Sequence, residues 1–351
     1  MKILITNYSL LNYAGTENYV IDIARYFHKS KYEVFVYSPL IGMSGQDIFD
    51  DGIHVTSNLL DIANIDFDII HAHHNIVAIF TRAIFPNVPM IFMSHGVLPK
   101  IEQPPFIDIN ITSYVAVSEE VRDNLVKRHN IDIKKISIIR NFVDFVRFQE
   151  HKKVNSVLKN VLVISNHYTK NVKHIIESVC SKLDISLVHV GLPENMVDNV
   201  ENYINRADIV VTLGKGAIEA MTCKRNVIIY DKHGSDGFIT VEKYYKVREN
   251  NFSGRRFQKQ INQKSFEQLL QKYDPSIAID IYEIIKKEHS IENACQLLMK
   301  QYKDTIKLHE KLSKKEVDIM QKKIKKSKSV LLGKITIFYL KLRRYKEIVS
   351  I

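Results

Sequence analysis

Short apolar, β-branched runs alternate along the chain with longer segments whose apolar residues recur every three or four positions. In the first part, residues 1–6 (MKILIT), 32–37 (YEVFVY), 53–55, 67–71, 90–93 (MIFM), 114–117 and 135–139 predict strands. Residues 17–28, the segment following HAHHN and residues 119–128 predict amphipathic helices, the last with Ser118 as its N-cap. Residues 151–159 (HKKVNSVLK) are polar and lack periodicity, which predicts a linker. The alternation then restarts: strand 161–165, helix 172–183, strand 185–190 closed by Gly191, and a helix over 194–204. In the stretch that follows, Ile209, Val210 and Val211 meet a Gly214-Lys215-Gly216 turn. An Ala-rich helix carries Glu219, and a second apolar run, 227–230, ends at Asp231. Strand–helix–strand repetition of this kind predicts parallel sheets with helices on both faces, whose functional residues gather beyond the carboxyl ends of the strands. Gly15, His71, His73, His95, Ser118 and Asn141 all fall just past predicted strand ends. The expected organisation is a first unit over 1–150, a second over 151–308 and a tail over 309–351.

Composition changes this picture only at the tail. Hydrophobic content of 45% and charged content of 25% are those of an ordinary globular chain. Of the net charge of +11, residues 301–351 hold +10, with fifteen Lys or Arg against five Asp or Glu. The nearly neutral body argues against nucleic acid as a partner of the globular part. Residues 310–328 read as a Lys-rich helix, and 330–342 (VLLGKITIFYLKL) as an apolar segment suited to an interface rather than a span. An anionic membrane surface meeting residues 310–346 is one expectation; packing on the body or on a second subunit is the alternative. The opening MKILITNYSL reads as a strand rather than a signal segment. Three dispersed cysteines, Cys180, Cys223 and Cys295, form neither a disulfide framework nor a zinc pattern, and fit a reducing cytoplasm.

The Gly-Lys-Gly turn is the first candidate for chemistry. Gly214 and Gly216 let backbone approach a ligand, the helix start beginning near Ala217 offers unpaired N–H groups to an anion, and Glu219 would face the same crevice. An acidic residue early in a helix is also ordinary dipole complementation. His71, His73 and His74 have poor metal-ligand spacing and suit packing and crevice lining. No G-x-G-x-x-G follows the first strand, which disfavours an NAD-dependent oxidoreductase.

Five fragments in order carry a resemblance: AGTEN after strand one, HAHH, SHG, the block YVAVSEEVRDNLVKRHNIDIKKISIIRNFVDFVRF, and GAIEAMTCKRNVIIYD. Over roughly residues 2–256 the chain resembles the family-4 nucleotide-sugar glycosyltransferases. The resemblance implies a GT-B fold, two Rossmann-like domains facing across a cleft, here with a basic helical extension. It also implies transfer of a sugar from a nucleotide diphosphate to a hydroxyl, with retention and no obligatory metal. Position by position, Gly15 with Thr16 matches the glycine segment lying against the donor diphosphate. His95 matches the histidine thought to contact the transferred sugar, and Glu219 the second carboxylate of Glu-x7-Glu, which holds the ribose. The first carboxylate of that pattern is Val211 here, and SNHYTK stands where the family has Gly-Arg. Lys170 or Lys173 is left to supply the phosphate-binding lysine, with Arg255 and Arg256 as alternative clamps. The basic tail suggests a lipid-linked or surface glycan precursor as acceptor. The departures also motivate a second reading, a non-catalytic protein of the same fold that binds a membrane or a partner.

Overall fold

The computed structural model describes residues 1–166, 168–191, 195, 197 and 199–311. The first domain contains β1 (Lys2–Thr6), β2 (Ser9–Leu10), α1 (Gly15–Lys29), β3 (Glu33–Tyr37), β4 (Leu40–Ile41), α2 (Met43–Asp50) and β5 (His54–Thr56). It continues through β6 (Ile69–His73), α3 (Asn75–Ile84), β7 (Met90–Ser94), β8 (Ser113–Ala116), α4 (Glu119–His129) and β9 (Ile136–Ile138). Seven strands form one parallel sheet in the order β5-β3-β1-β6-β7-β8-β9, with β2 and β4 paired separately. Strands β1 and β7 are largely apolar because both faces are covered, while the β6 between them carries two buried histidines. Ile3 and Ile5 join the core on one side of the sheet and Leu4 the core on the other, all three fully buried. The N-cap of α4 is Ser118, as its position predicts, and accepts from the amide of Val121 at 3.3 Å.

The second domain contains β10 (Asn160–Ile164), α5 (Lys170–Lys182), β11 (Ser186–Val190), α6 (Val200–Ile204), β12 (Ile209–Thr212), α7 (Lys215–Thr222), β13 (Asn226–Asp231) and β14 (Gly234–Phe238). After these come α8 (Val241–Arg248), α9 (Gln263–Leu270), α10 (Pro275–Glu288) and α11 (Ile291–Glu310). Its sheet runs β11-β10-β12-β13-β14, parallel except for the last strand. Two separate sheets thus face each other. Of the helix expected over 194–204, the structure shows α6 over Val200–Ile204 only; residues 194, 196 and 198, and all of the tail beyond Lys311, lie outside the described residues. No described helix is long and apolar enough to cross a membrane.

Both domain boundaries differ from the sequence expectation. The chain enters the second core at Val143 and Phe148, before the polar 151–159 segment, because these two residues of RNFVDFVRF bury there while Phe142 stays in the first core. At the other end, α11 returns to the first domain, where Ile291, Ala294, Cys295, Leu298 and Tyr302 complete the core beside α1. The two crossings lie against each other. Val143 donates to the carbonyl of His289 at 2.9 Å, and Ile291 donates to that of Val143 at 3.2 Å. The fully enclosed His289 ring bonds the Asn141 carbonyl through Nδ1 at 2.5 Å and the Tyr244 hydroxyl through Nε2 at 2.9 Å. Further polar bonds join the domains: the Glu120 amide to the Glu249 carbonyl at 3.0 Å, and the Asn141 side chain to Asn251 at 2.9 Å.

Candidate active site

A cleft of about 290 Å³ opens between the domains at the carboxyl ends of β10, β12 and β13. The first domain lines it with the start of α1, including Gly15 and Asn18. The second domain lines it with Lys215, Gly216 and Glu219 of α7, with Tyr230 and Asp231 at the end of β13, and with Gly191. Arg147 reaches it from the crossing segment.

Gly15 is the first residue of α1 rather than part of a loop before it. A Cβ built there meets no protein atom within 4 Å. Neither neighbours nor backbone conformation therefore demand glycine; what its Cβ would enter is cleft. Thr16, next in the helix, donates instead to the Glu17 carboxylate at 2.9 Å. The start of α1 has no side-chain cap on Ala14, and α7 has none on Gly214. Two helix N-termini, one from each domain, thus present main-chain N–H groups and positive dipole ends to one space.

The three small residues of the turn divide their work. Gly214 adopts φ +57° and donates to Phe252 at 2.9 Å, so it shapes the turn without lining the cleft. Gly216 lines the cleft and also packs α7 on β12, since a Cβ there would come within 2.6 Å of Thr212 Oγ1. Ala217 is wholly buried in the second core.

Glu219 lies one full turn into α7, not in its first turn, and faces the cleft while 7% exposed. Its carboxylate accepts no hydrogen bond from any described residue. Burial raises its pKa; Lys215 and Arg147 pull it back down, and Asp22 and Glu201 push it up. A desolvated carboxylate without a donor is costly unless a ligand brings one. Val211, at the position of the absent first carboxylate, is an interior residue of β12, packed on the α5 side of the sheet.

His95 is half-buried beyond the end of β7 and does not line the cleft. Its Nε2 lies 2.7 Å from Nδ1 of His73, and its ring meets the edge of Tyr19 with centroids 4.9 Å apart. Burial is the main reason that its pKa falls well below the usual histidine value. His71 and His73 lie inside β6, not beyond it, because the parallel pairing with β7 continues to His73. Both rings are fully buried and stack on one another at 4.5 Å.

The cations proposed from sequence lie elsewhere. Lys170 opens α5, exposed, and Lys173 is 4.0 Å from Glu177; neither lines the cleft. Arg255 grips Glu120 of α4 through Nε at 2.9 Å and Nη2 at 2.6 Å, and Arg256 is 3.2 Å from Glu249. Among the described residues the cleft cations are Lys215 and Arg147, neither of which local sequence pattern singles out. Arg147 is held by Glu201 at 3.1 and 3.0 Å. Lys215 lies between the two glycines of the turn and opens α7. Asp231 was legible only as a strand end. Among the described residues no cluster of three or more His, Cys, Asp or Glu is arranged to hold a metal ion.

Residues 13–147 match the family described as Glycosyltransferase Family 4. That match spans 135 of the 351 residues, covering most of the first domain and the crossing that leaves it. The chain shares its GT-B fold with a glycosyltransferase from Rickettsia africae, at 15% identity and TM-score 0.62 over 87% of this chain and 98% of that one. Anabaena HepE, solved with UDP and glucose, matches at 13% identity and TM-score 0.63 over 86% of this chain and 99% of that one. An α-glucosyltransferase solved with UDP and a 13-mer DNA matches at 11% identity and TM-score 0.53, covering 88% and 99%. No curated protein sequence matches the chain.

Proposed function

We propose that the cleft binds a nucleotide-sugar and that the enzyme transfers its sugar to a hydroxyl acceptor. The observation that carries this reading is the carboxylate of Glu219, buried without a donor and set beside two uncapped helix N-termini. A ribose diol would give Glu219 the hydrogen bonds it lacks. A diphosphate would take the N–H groups of α1 and α7, with Gly15 leaving room for it. As the bond from sugar to diphosphate breaks, negative charge grows on the leaving oxygen, and fixed N–H dipoles and a nearby cation stabilise it without reorganisation. No obligatory metal enters this scheme, and retention of configuration follows the family resemblance.

UDP is the first nucleotide to try, because HepE and the α-glucosyltransferase were solved with it. A lipid-linked or surface glycan precursor remains the proposed acceptor, and an anionic membrane surface the proposed partner of residues 310–346.

The test is donor turnover by wild type and Glu219→Ala, after a thermal-shift screen against UDP, GDP, CDP and ADP. Turnover in wild type with at least a tenfold loss in the variant is expected. Equal background rates in both would remove the enzymatic reading. The second reading, motivated by Val211, predicts nucleotide binding with no turnover.

A further inference from the structure

Lys215 is the first residue of α7 and lines the cleft, yet its side chain is only 10% exposed. Its Nζ lies 2.5 Å from Oδ2 of Asp22, a residue of α1 in the other domain that is itself 16% exposed. The Phe142 ring closes another side, with its centroid 5.8 Å from Nζ. Asp22 is not among the cleft-lining residues, so the lysine stands between the aspartate and the open space. An ammonium carries three N–H donors, and Asp22 is the only described group that takes one. Glu219, one helical turn further along, does not bond to it. The two residues are therefore free for different parts of one ligand.

A buried ion pair is a poor means of stabilising an interface, since desolvating both charges offsets most of their attraction. Here the pair also fixes where an ammonium sits inside a cleft flanked by two helix N-termini. We propose that Lys215 is the cation that binds the donor diphosphate, and that Asp22 is its positioning residue, supplied from the opposite domain. The lysine is then aligned only while the domains hold this arrangement, so diphosphate affinity depends on their closure. The inference rests on the cleft being the donor site, and it replaces Lys170, Lys173 and Arg255 in that role.

Calorimetric titration of the full chain with UDP, UMP and uridine tests it. Wild type should bind UDP more tightly than uridine. Lys215→Met should lose about ten- to hundredfold in UDP affinity, the worth of one or more charge-assisted hydrogen bonds, with uridine affinity unchanged. Lys215→Arg should retain most of the difference. Asp22→Asn should lose UDP affinity in the same direction by a smaller factor, and the double variant should bind no more weakly than Lys215→Met alone. Lys215→Met binding UDP as wild type does, or losing uridine in equal measure, overturns the assignment and leaves the donor-site reading standing. Wild type that binds none of UDP, GDP, CDP and ADP overturns both.

Discussion

The Nδ1 of His71 lies 2.6 Å from the hydroxyl of Tyr302, joining the central sheet of the first domain to the last described helix across 231 positions of sequence. Both side chains are fully buried, and His71 Nε2 has no partner of its own. Tyr302→Phe would leave the second ring nitrogen unpaired as well. Stability should fall by about 1–3 kcal/mol, the cost of stranding a buried polar group. In urea unfolding the midpoint should drop with the slope unchanged.

The pH dependence of stability follows from enclosed histidines. Burial lowers His71 to about 3 and His74 and His289 to about 4, and drives His73 and His95 well down. In the unfolded chain these rings protonate near 6.5. Their contribution is therefore intact above that value and is lost as pH falls toward the folded values, at about 1.4 kcal/mol per pH unit for each ring. Glu102 acts in the opposite sense. Burial, with Glu17 adding to it, raises Glu102 to about 7, so its contribution is present below the unfolded value and lost as pH rises through 7. Five histidines outweigh it. Urea midpoints measured from pH 8 to pH 5 should fall steadily below 6.5, and a flat profile would contradict the neutral state of the buried rings.

Arg255 should be separable from donor binding. Its guanidinium is committed to Glu120, in a pair about four-fifths buried. Arg255→Ala should lower stability by about 1 kcal/mol, with Glu120→Ala doing the same and the double variant no worse. UDP affinity should stay within about twofold, since a change that small is less than the worth of one hydrogen bond. A loss greater than tenfold would return Arg255 to the site.

Gly15 and Gly191 should respond in opposite ways. Gly15→Ala places a methyl in open cleft at a helical position, so folding stability should hold or rise by about 0.5 kcal/mol. Gly15→Leu should also fold but weaken donor binding. Gly191 has φ +143°, and an added Cβ would come within 2.2 Å of the Ser165 carbonyl oxygen. Gly191→Ala should cost about 2 kcal/mol or more before any ligand is added. Thermal unfolding with and without UDP distinguishes the two positions.

The sheets, the Ser118 cap and the convergence of Gly15 and Glu219 on one cleft were legible because local pattern encodes them. Periodicity marks strands and helices, and the crevice rule places strand ends. What escaped was information carried by distant pairs. Nothing beside Lys215 in sequence announces Asp22, and nothing in residues 291–310 distinguishes a helix that covers the second domain from one that returns to the first. Arg255 read as a clamp because guanidinium chemistry suits phosphate; its carboxylate partner lay 135 positions away. Local pattern places His71 and His73 beyond their strand, because the tolerance of a parallel sheet for interior histidine depends on Tyr302 and on ring stacking, neither of which is local.

The paired crossings at Val143 and His289–Ile291 constrain how the halves move. Two backbone segments bonded side by side act as an axle. Any opening of the halves would turn about this seam, much as a door turns on its post. Return to the arrangement seen here would set the carboxylate of α1 against the ammonium of α7 in the same alignment.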